Sequence, residues 1–179
     1  AGESAAARDH RDRFTADHAA GNGAAGESGS GIAVIDLAGG RDAVVAARGA
    51  FGGWSGRAAF NRGQILYRIA EMLEGRKAQF IDELIKQDST QAQAEKEVNL
   101  CIDRLIYYSG WCDKFQQLFS SVNPVASSHF NFSVPEPTGV VAAIAPQNDS
   151  LLGLVSVIAP IIAGGNTCIV LASAAKPLC

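Results

Sequence analysis

The chain has 179 residues and a formal net charge of −3, and 47% of its residues are hydrophobic while 18% are charged. This composition is typical of one globular domain and excludes a largely disordered chain. Because no basic cluster exceeds a few residues, we expect no nucleic-acid partner. The longest apolar run, residues 151–163, is too short for a membrane span of about 20 residues, so we expect no membrane partner either.

Residues 1–33 are rich in alanine, glycine, aspartate and arginine, which is typical of a flexible linker. Within them, residues 21–26 satisfy the GxGxxG pattern of dinucleotide-binding turns. That motif requires a buried strand before it and an amphipathic helix after it, and residues 14–20 are not a convincing strand. We interpret the match as chance and predict one folded domain over residues 34–179.

Helical spacing of apolar residues predicts four helices in the first two thirds of this domain. We expect Gly52 and Gly53 to break the first helix and Gly75 to follow the second at its C′ position. The expected extents are residues 42–51, residues 60–73, residues 80–90 and, as one long helix, about residues 92–119.

Residues 117–135 have a different pattern. Residues 129–134 alternate in polarity, which predicts a strand with Phe130, Phe132 and Val134 on one face. Alternation alone is equally consistent with an edge strand covered by its own domain and with a strand that projects from it.

A strand–helix–strand unit follows. A predicted strand over residues 140–145 stops at Pro146, and a helix over residues 151–163 follows the turn. A pair of glycines then precedes a second strand over residues 166–171. This βαβ arrangement places ligands at the carboxyl ends of its strands.

Several motifs in this order resemble those of the aldehyde dehydrogenase family. The matching residues of the βαβ unit are Glu136, Pro137, Gly139, Val140, Pro146, Asn148, Pro160, Gly165, Asn166 and Thr167. The matching residues of the helical part are Ala47, Phe51, Trp54, Arg62, Leu66, Ala70, Leu73 and residues 107–114. The resemblance covers about residues 35–179. It implies an α/β fold, the amino-terminal part of a Rossmann-like cofactor domain.

The resemblance also implies roles for the turn after the first strand. Asn148 matches the carboxamide that holds the aldehyde oxygen beside the catalytic thiol, although Asn148 or Asp149 in this place could instead cap the helix. The segment that lines NAD or NADP in the family is matched by Ile144, Ala145, Pro146 and Gln147.

Three departures from the family pattern concern the cofactor. Gln147 stands where the family has tryptophan, Leu171 where it has lysine and Ala174 where it has glutamate. Leucine and alanine cannot supply the charge-assisted hydrogen bonds that the lysine and glutamate make to a ribose. We therefore expect this chain alone not to bind NAD or NADP appreciably.

The cysteines do not point to a reactive thiol in this chain. Cys101 and Cys112 are expected on one helix about 16 Å apart, too far for a disulfide, and with Cys168 we expect them to be reduced and buried. Cys179 is terminal, and the three histidines form no metal constellation. Reduced thiols favour a cytoplasmic location. By the resemblance, the catalytic cysteine and glutamate belong to sequence beyond this chain.

The resemblance therefore implies part of an NAD(P)-dependent oxidoreductase that converts aldehydes to carboxylic acids. The alternative is a catalytically inactive module for packing and oligomerisation, similar to the degenerate second module of aldehyde dehydrogenase family sixteen. In the family, residues 117–135 match a projecting strand pair that joins subunits. We therefore expect a homo-oligomer or a companion aldehyde dehydrogenase module as partner.

Overall fold

The computed structural model describes residues 37–173 and Lys176, all within the compact unit Ile35–Cys179. The predictions for residues 1–33, for Ala174 and for Cys179 fall outside these described residues. The described helices are α1 (Leu37–Ser55), α2 (Ala59–Gly75), α3 (Lys77–Ile85), α4 (Gln91–Ser109), α5 (Lys114–Phe119) and α6 (Leu151–Ala163). The described strands are β1 (Ser121–Asn123), β2 (Asn131–Ser133), β3 (Val140–Ile144) and β4 (Thr167–Leu171).

The predicted break at Gly52 and Gly53 is wrong, because α1 continues through both glycines to Ser55. Each helical glycine costs about 1 kcal/mol relative to alanine. Tertiary bonds offset this cost: the Trp54 indole N–H donates to the Ile162 carbonyl oxygen at 3.0 Å. On the same helix, the Ala47 carbonyl oxygen accepts a hydrogen bond from Thr167 Oγ1 at 2.9 Å.

The single long helix predicted over residues 92–119 is also wrong. The chain leaves α4 at its C-cap, Gly110, and re-enters a helix only at Lys114. Close packing against α2 accompanies the break, since a Cβ on Gly63 would lie 2.8 Å from the Ser109 carbonyl oxygen. Gly75 is likewise not a C′ residue: it is the last residue of α2, and Arg76 alone separates α2 from α3.

The core lies where α2, α4 and α6 pack together. Its largest fully buried side chains are Leu66, Leu84, Val98, Cys101 and Cys112. Burial of each of the aliphatic side chains contributes about 1.5–3 kcal/mol. A capping box fixes the start of α4: the Gln93 amide donates to Thr90 Oγ1 at 3.3 Å, and the Thr90 amide donates to Gln93 Oε1 at 3.0 Å.

The predicted βαβ unit is confirmed. Strands β3 and β4 pair in parallel, with Val140 opposite Thr167 and Ile144 opposite Leu171, and α6 connects them. At the amino end of this pair, Gly165 has a φ of +85°, which favours glycine. A Cβ there would also lie 2.9 Å from Pro137 Cγ, so the chain needs glycine at this position.

A short antiparallel hairpin precedes the βαβ unit. Strands β1 and β2 pair with Val122 opposite Phe132. Phe130, Phe132 and Val134 are 74%, 59% and 45% exposed, and the two phenyl rings lie 5.4 Å apart. Among the residues that the structure describes, no helix is both long and apolar enough to cross a membrane.

Candidate functional site

The candidate site is the turn of residues 146–150, which joins the carboxyl end of β3 to α6. The residue that follows β3, Pro146, packs closely against the first turn of α6. A Cβ on Gly153 in that turn would lie 3.1 Å from Pro146 Cδ. Glycine at position 153 therefore lets the turn fold back against the helix that follows it.

Helix α6 is held at its amino end by a side chain from another helix. Glu97 on α4 places Oε1 2.9 Å from the Leu151 amide and 3.0 Å from the Leu152 amide, and it accepts from both. A carboxylate in this position satisfies two first-turn amides and interacts favourably with the helix dipole.

The carboxyl end of α6 is held by Arg62 from α2. Arg62 is 4% exposed, and its Nε–H donates to the Ala163 carbonyl oxygen at 3.4 Å. Its Nη1 donates to the Arg57 carbonyl oxygen at 2.6 Å. A guanidinium at a helix carboxyl end is favourable for the same electrostatic reason that a carboxylate is at the other end.

Serine side chains fix the turn itself. Ser173, just after β4, donates from Oγ to the Gln147 carbonyl oxygen at 3.1 Å and lies 3.3 Å from Gln147 Oε1. Buried Ser150 donates from Oγ to the Lys176 carbonyl oxygen at 3.0 Å. Ser173 and Lys176, which follow β4, are therefore tied to the two ends of the turn.

Asn148 and Asp149 lie exposed between these two anchors. They line an open polar cavity of about 440 Å³ together with Lys96, Glu97 and Lys176. Neither residue caps α6. The N-cap residue is Ser150, whose own side chain makes no capping hydrogen bond. The capping alternative for Asn148 is therefore wrong, and its role as an oxyanion donor stays a prediction.

The residues predicted to line the cofactor are brought together at the ends of the strands. Ile144 is 72% exposed and lies opposite Leu171 in the sheet register, and the Ala145 amide donates to the Leu171 carbonyl oxygen at 2.9 Å. Ala145 is buried, while Pro146 and Gln147 are exposed. The exposed Ile144 side chain is apolar, and the Leu171 side chain opposite it has no hydrogen-bond donor.

Cys101 and Cys112 are buried, Cys168 is half-buried, and none of these three described cysteines forms a disulfide. Burial raises the pKa of both Cys112 and Cys168, and the nearby Arg62 guanidinium only partly lowers the pKa of Cys112. A raised thiol pKa opposes thiolate formation, as expected for structural cysteines. In the described part of the chain, no group of histidine, cysteine and acidic residues could hold a metal ion.

The sequence profile of the aldehyde dehydrogenase family matches residues 21–179. The chain belongs to the aldehyde dehydrogenase family. The aldehyde dehydrogenase of Davidiella tassiana is 34% identical over 142 residues, which are 76% of this chain and 27% of that protein. Human mitochondrial 10-formyltetrahydrofolate dehydrogenase is 32% identical over 141 residues, which are 76% of this chain and 15% of that protein.

Solved aldehyde dehydrogenase structures have the same fold. A betaine aldehyde dehydrogenase from Staphylococcus aureus, a double mutant in complex with NAD+, is similar with a TM-score of 0.71 and 26% identity. The match covers 78% of this chain and 28% of that chain. The predicted fold class, part of an α/β cofactor domain with a helical first half, is confirmed. The chain spans only 27% of the length of the Davidiella tassiana protein and 15% of the length of the human protein.

Sequence reasoning missed Glu97 and Ser173. Glu97 accepts a hydrogen bond from a residue 54 positions away, so no local sequence pattern predicts its role. Ser173 carried a usable signal, because polar residues directly after a parallel strand lie at the edge where α/β proteins bind ligands.

Proposed function

We propose that this chain is the amino-terminal part of the cofactor-binding domain of an aldehyde dehydrogenase-like oxidoreductase, which converts an aldehyde to a carboxylic acid. The observation that supports this is the turn of residues 146–150, which leaves Asn148 exposed while its neighbours are held. In this proposal the nucleophilic cysteine and the general base come from sequence beyond this chain, and the protein works in the cytoplasm.

The role proposed for Asn148 is hydrogen-bond donation. A carboxamide N–H held next to the carbonyl under attack stabilises the negative charge that develops on its oxygen. Loss of one such donor typically lowers kcat by about 10²- to 10³-fold. Nothing in the packing prevents this role, because the Asn148 side chain lies at the surface of the polar cavity and is not buried.

We expect NAD or NADP to fit two described positions poorly, Leu171 at the adenosine ribose and Gln147 in the wall that lines the cofactor. Leu171 offers only an apolar side chain where the family has a lysine, and Gln147 is held by Ser173 where the family has a flat tryptophan. Each charge-assisted contact contributes about 1.5–3 kcal/mol, so loss of the lysine and glutamate contacts would weaken a micromolar site by one to several orders of magnitude.

That poor fit favours a second candidate, a catalytically inactive module that serves packing and oligomerisation. More narrowly, we propose that the chain corresponds to the degenerate second module of aldehyde dehydrogenase family sixteen. Its partner would be a further aldehyde dehydrogenase module or another copy of the chain.

Kinetics on a longer protein that contains this chain and its catalytic domain distinguish the two candidates. If the first is correct, aldehyde-dependent NADH formation occurs, and Asn148→Ala lowers kcat by about 10²-fold or more. Asp149→Ala, which changes the neighbouring exposed side chain, is the matched control and should leave kcat nearly unchanged. No turnover with intact folding and intact cofactor supply would support the inactive module instead.

A calorimetric titration tests the poor fit in the 179-residue chain itself. After circular dichroism has established that the chain is folded, we expect NAD to give no saturable micromolar binding isotherm. Saturable micromolar binding, or NADH production from any aldehyde, would contradict this part of the proposal.

We also propose that the exposed face of Phe130, Phe132 and Val134 pairs with another subunit. These three apolar side chains would otherwise remain in water, and the Phe130 and Phe132 rings lie 5.4 Å apart. Light scattering coupled to size exclusion should show a smaller assembly after Phe130→Asp together with Phe132→Asp. An unchanged assembly would rule out this face as the interface.

A further inference from the structure

The start of α6 lacks the cap that its own sequence should supply. Serine is among the best N-cap residues, because its oxygen accepts from the first turn. Here the N-cap residue Ser150 instead has a helical φ of −66° and ψ of −72°, and its hydroxyl donates to the carbonyl oxygen of Lys176. The amides of Leu151 and Leu152 therefore need an acceptor from elsewhere in the protein.

Glu97 is that acceptor, and it comes from α4. One carboxylate oxygen accepts from both amides, at 2.9 Å and 3.0 Å, and both bonds are half-buried. Hydrogen bonds to an ionised acceptor are about twice as strong as neutral ones. The first two amides of α6 are therefore satisfied by a side chain of α4, in addition to the serine contacts that hold the turn.

The location of Asn148 depends on where α6 begins. Asn148 lies three residues before Leu151 and directly after Gln147, whose carbonyl oxygen is held by Ser173 at 3.1 Å. Between these two fixed points the side chains of Asn148 and Asp149 are exposed. A shift or fraying of the first turn of α6 would change where the Asn148 carboxamide lies relative to the strand ends.

We infer that Glu97 is a positioning residue for Asn148, an assignment that rests on the role proposed for Asn148 above. Glu97 does not touch the reacting atoms in this assignment. It sets the first turn of α6 and, through that turn, the direction of the Asn148 carboxamide.

Nuclear magnetic resonance on the full 179-residue chain tests this inference. In Glu97→Ala, amide hydrogen exchange at Leu151 and Leu152 should accelerate by about tenfold or more. The side-chain amide resonances of Asn148 should move at the same time. Glu97→Gln keeps an accepting oxygen and should retain slow exchange within about threefold of the wild type, with Asn148 resonances close to their original positions.

Glu95→Ala is the matched control, since Glu95 is an exposed carboxylate on the same helix whose partner is Lys77 at 3.7 Å. It should change neither signal. If Glu97→Ala does not fold, Glu97→Asp replaces it, because its shorter side chain draws the oxygen away from the amides.

Two results would overturn the inference. One is accelerated exchange at Leu151 and Leu152 while the Asn148 resonances stay in place, which would leave Glu97 as a cap only. The other is an equal acceleration at core amides such as that of Val98, which would indicate general destabilisation. Because no turnover is measured, an inactive chain still answers the question, and the Asn148→Ala kinetics test the proposed function separately.

Discussion

Replacement of Arg62 by methionine should substantially destabilise the fold. Methionine keeps most of the buried volume but removes the donors to the carbonyl oxygens of Ala163 and Arg57. A hydrogen bond from a charged group contributes about 1.5–3 kcal/mol, and the bond to Ala163, at 3.4 Å, belongs at the lower end of that range. Removal of a buried charge recovers part of this loss. We therefore expect the free energy of unfolding to fall by about 2–4 kcal/mol.

Urea denaturation followed by far-ultraviolet circular dichroism measures this loss. At a slope of about 2 kcal/mol per molar urea, the midpoint should fall by about 1–2 M. Arg68→Met is the matched control, since the Arg68 side chain on the same helix is 74% exposed and its partner Glu71 is a surface residue. That control should change stability by less than about 0.5 kcal/mol. If Arg62→Met behaved like Arg68→Met, the guanidinium would not be what holds the end of α6.

Two further predictions concern glycine and cysteine. Gly165→Ala should lower the free energy of unfolding by about 1–3 kcal/mol, because φ is +85° and Pro137 is too close to a Cβ. Gly49→Ala, in open space on α1, should raise it by about 0.5–1 kcal/mol. Thermal unfolding of both variants tests the contrast, and equal effects would contradict it. Burial raises the pKa of Cys112 above that of the thiol in the unfolded chain, which is about 8.5. The stability contributed by the neutral, buried thiol is therefore fully present below the unfolded-state pKa and is lost as pH rises above it. Urea midpoints measured from about pH 7.5 to about pH 10 should therefore fall more steeply in the wild type than in Cys112→Ala, and parallel slopes would refute the assignment.

Local patterns predicted the βαβ unit well. The expected extent of α6 agrees with the structure at both ends, and the two strands differ from their predicted extents by one residue each. This part succeeds because a continuous apolar run between Pro146 and a pair of glycines leaves few alternatives. The fold class followed from the same segment.

Long-range contacts explain where prediction failed. The helix through Gly52 and Gly53 depends on Trp54 donating to a residue 108 positions away, which no local window can contain. The interruption after Ser109 accompanies close packing against Gly63 of another helix. In the candidate site, the turn residues were predicted, whereas the carboxylate of Glu97 that fixes the turn was not.

The residues around the carboxyl end of α6 have a consequence for how such chains are classified. Arg62, Trp54 and Gly165 hold a helix and a strand in place, and they are among the residues whose pattern resembles the motifs of the family. A copy of this domain that no longer turned over substrate would still need them in order to fold. Sequence searches weighted towards these positions would therefore group active and inactive copies together. Within this chain, we propose that positions at the carboxyl ends of the strands, such as Gln147 and Leu171, separate them.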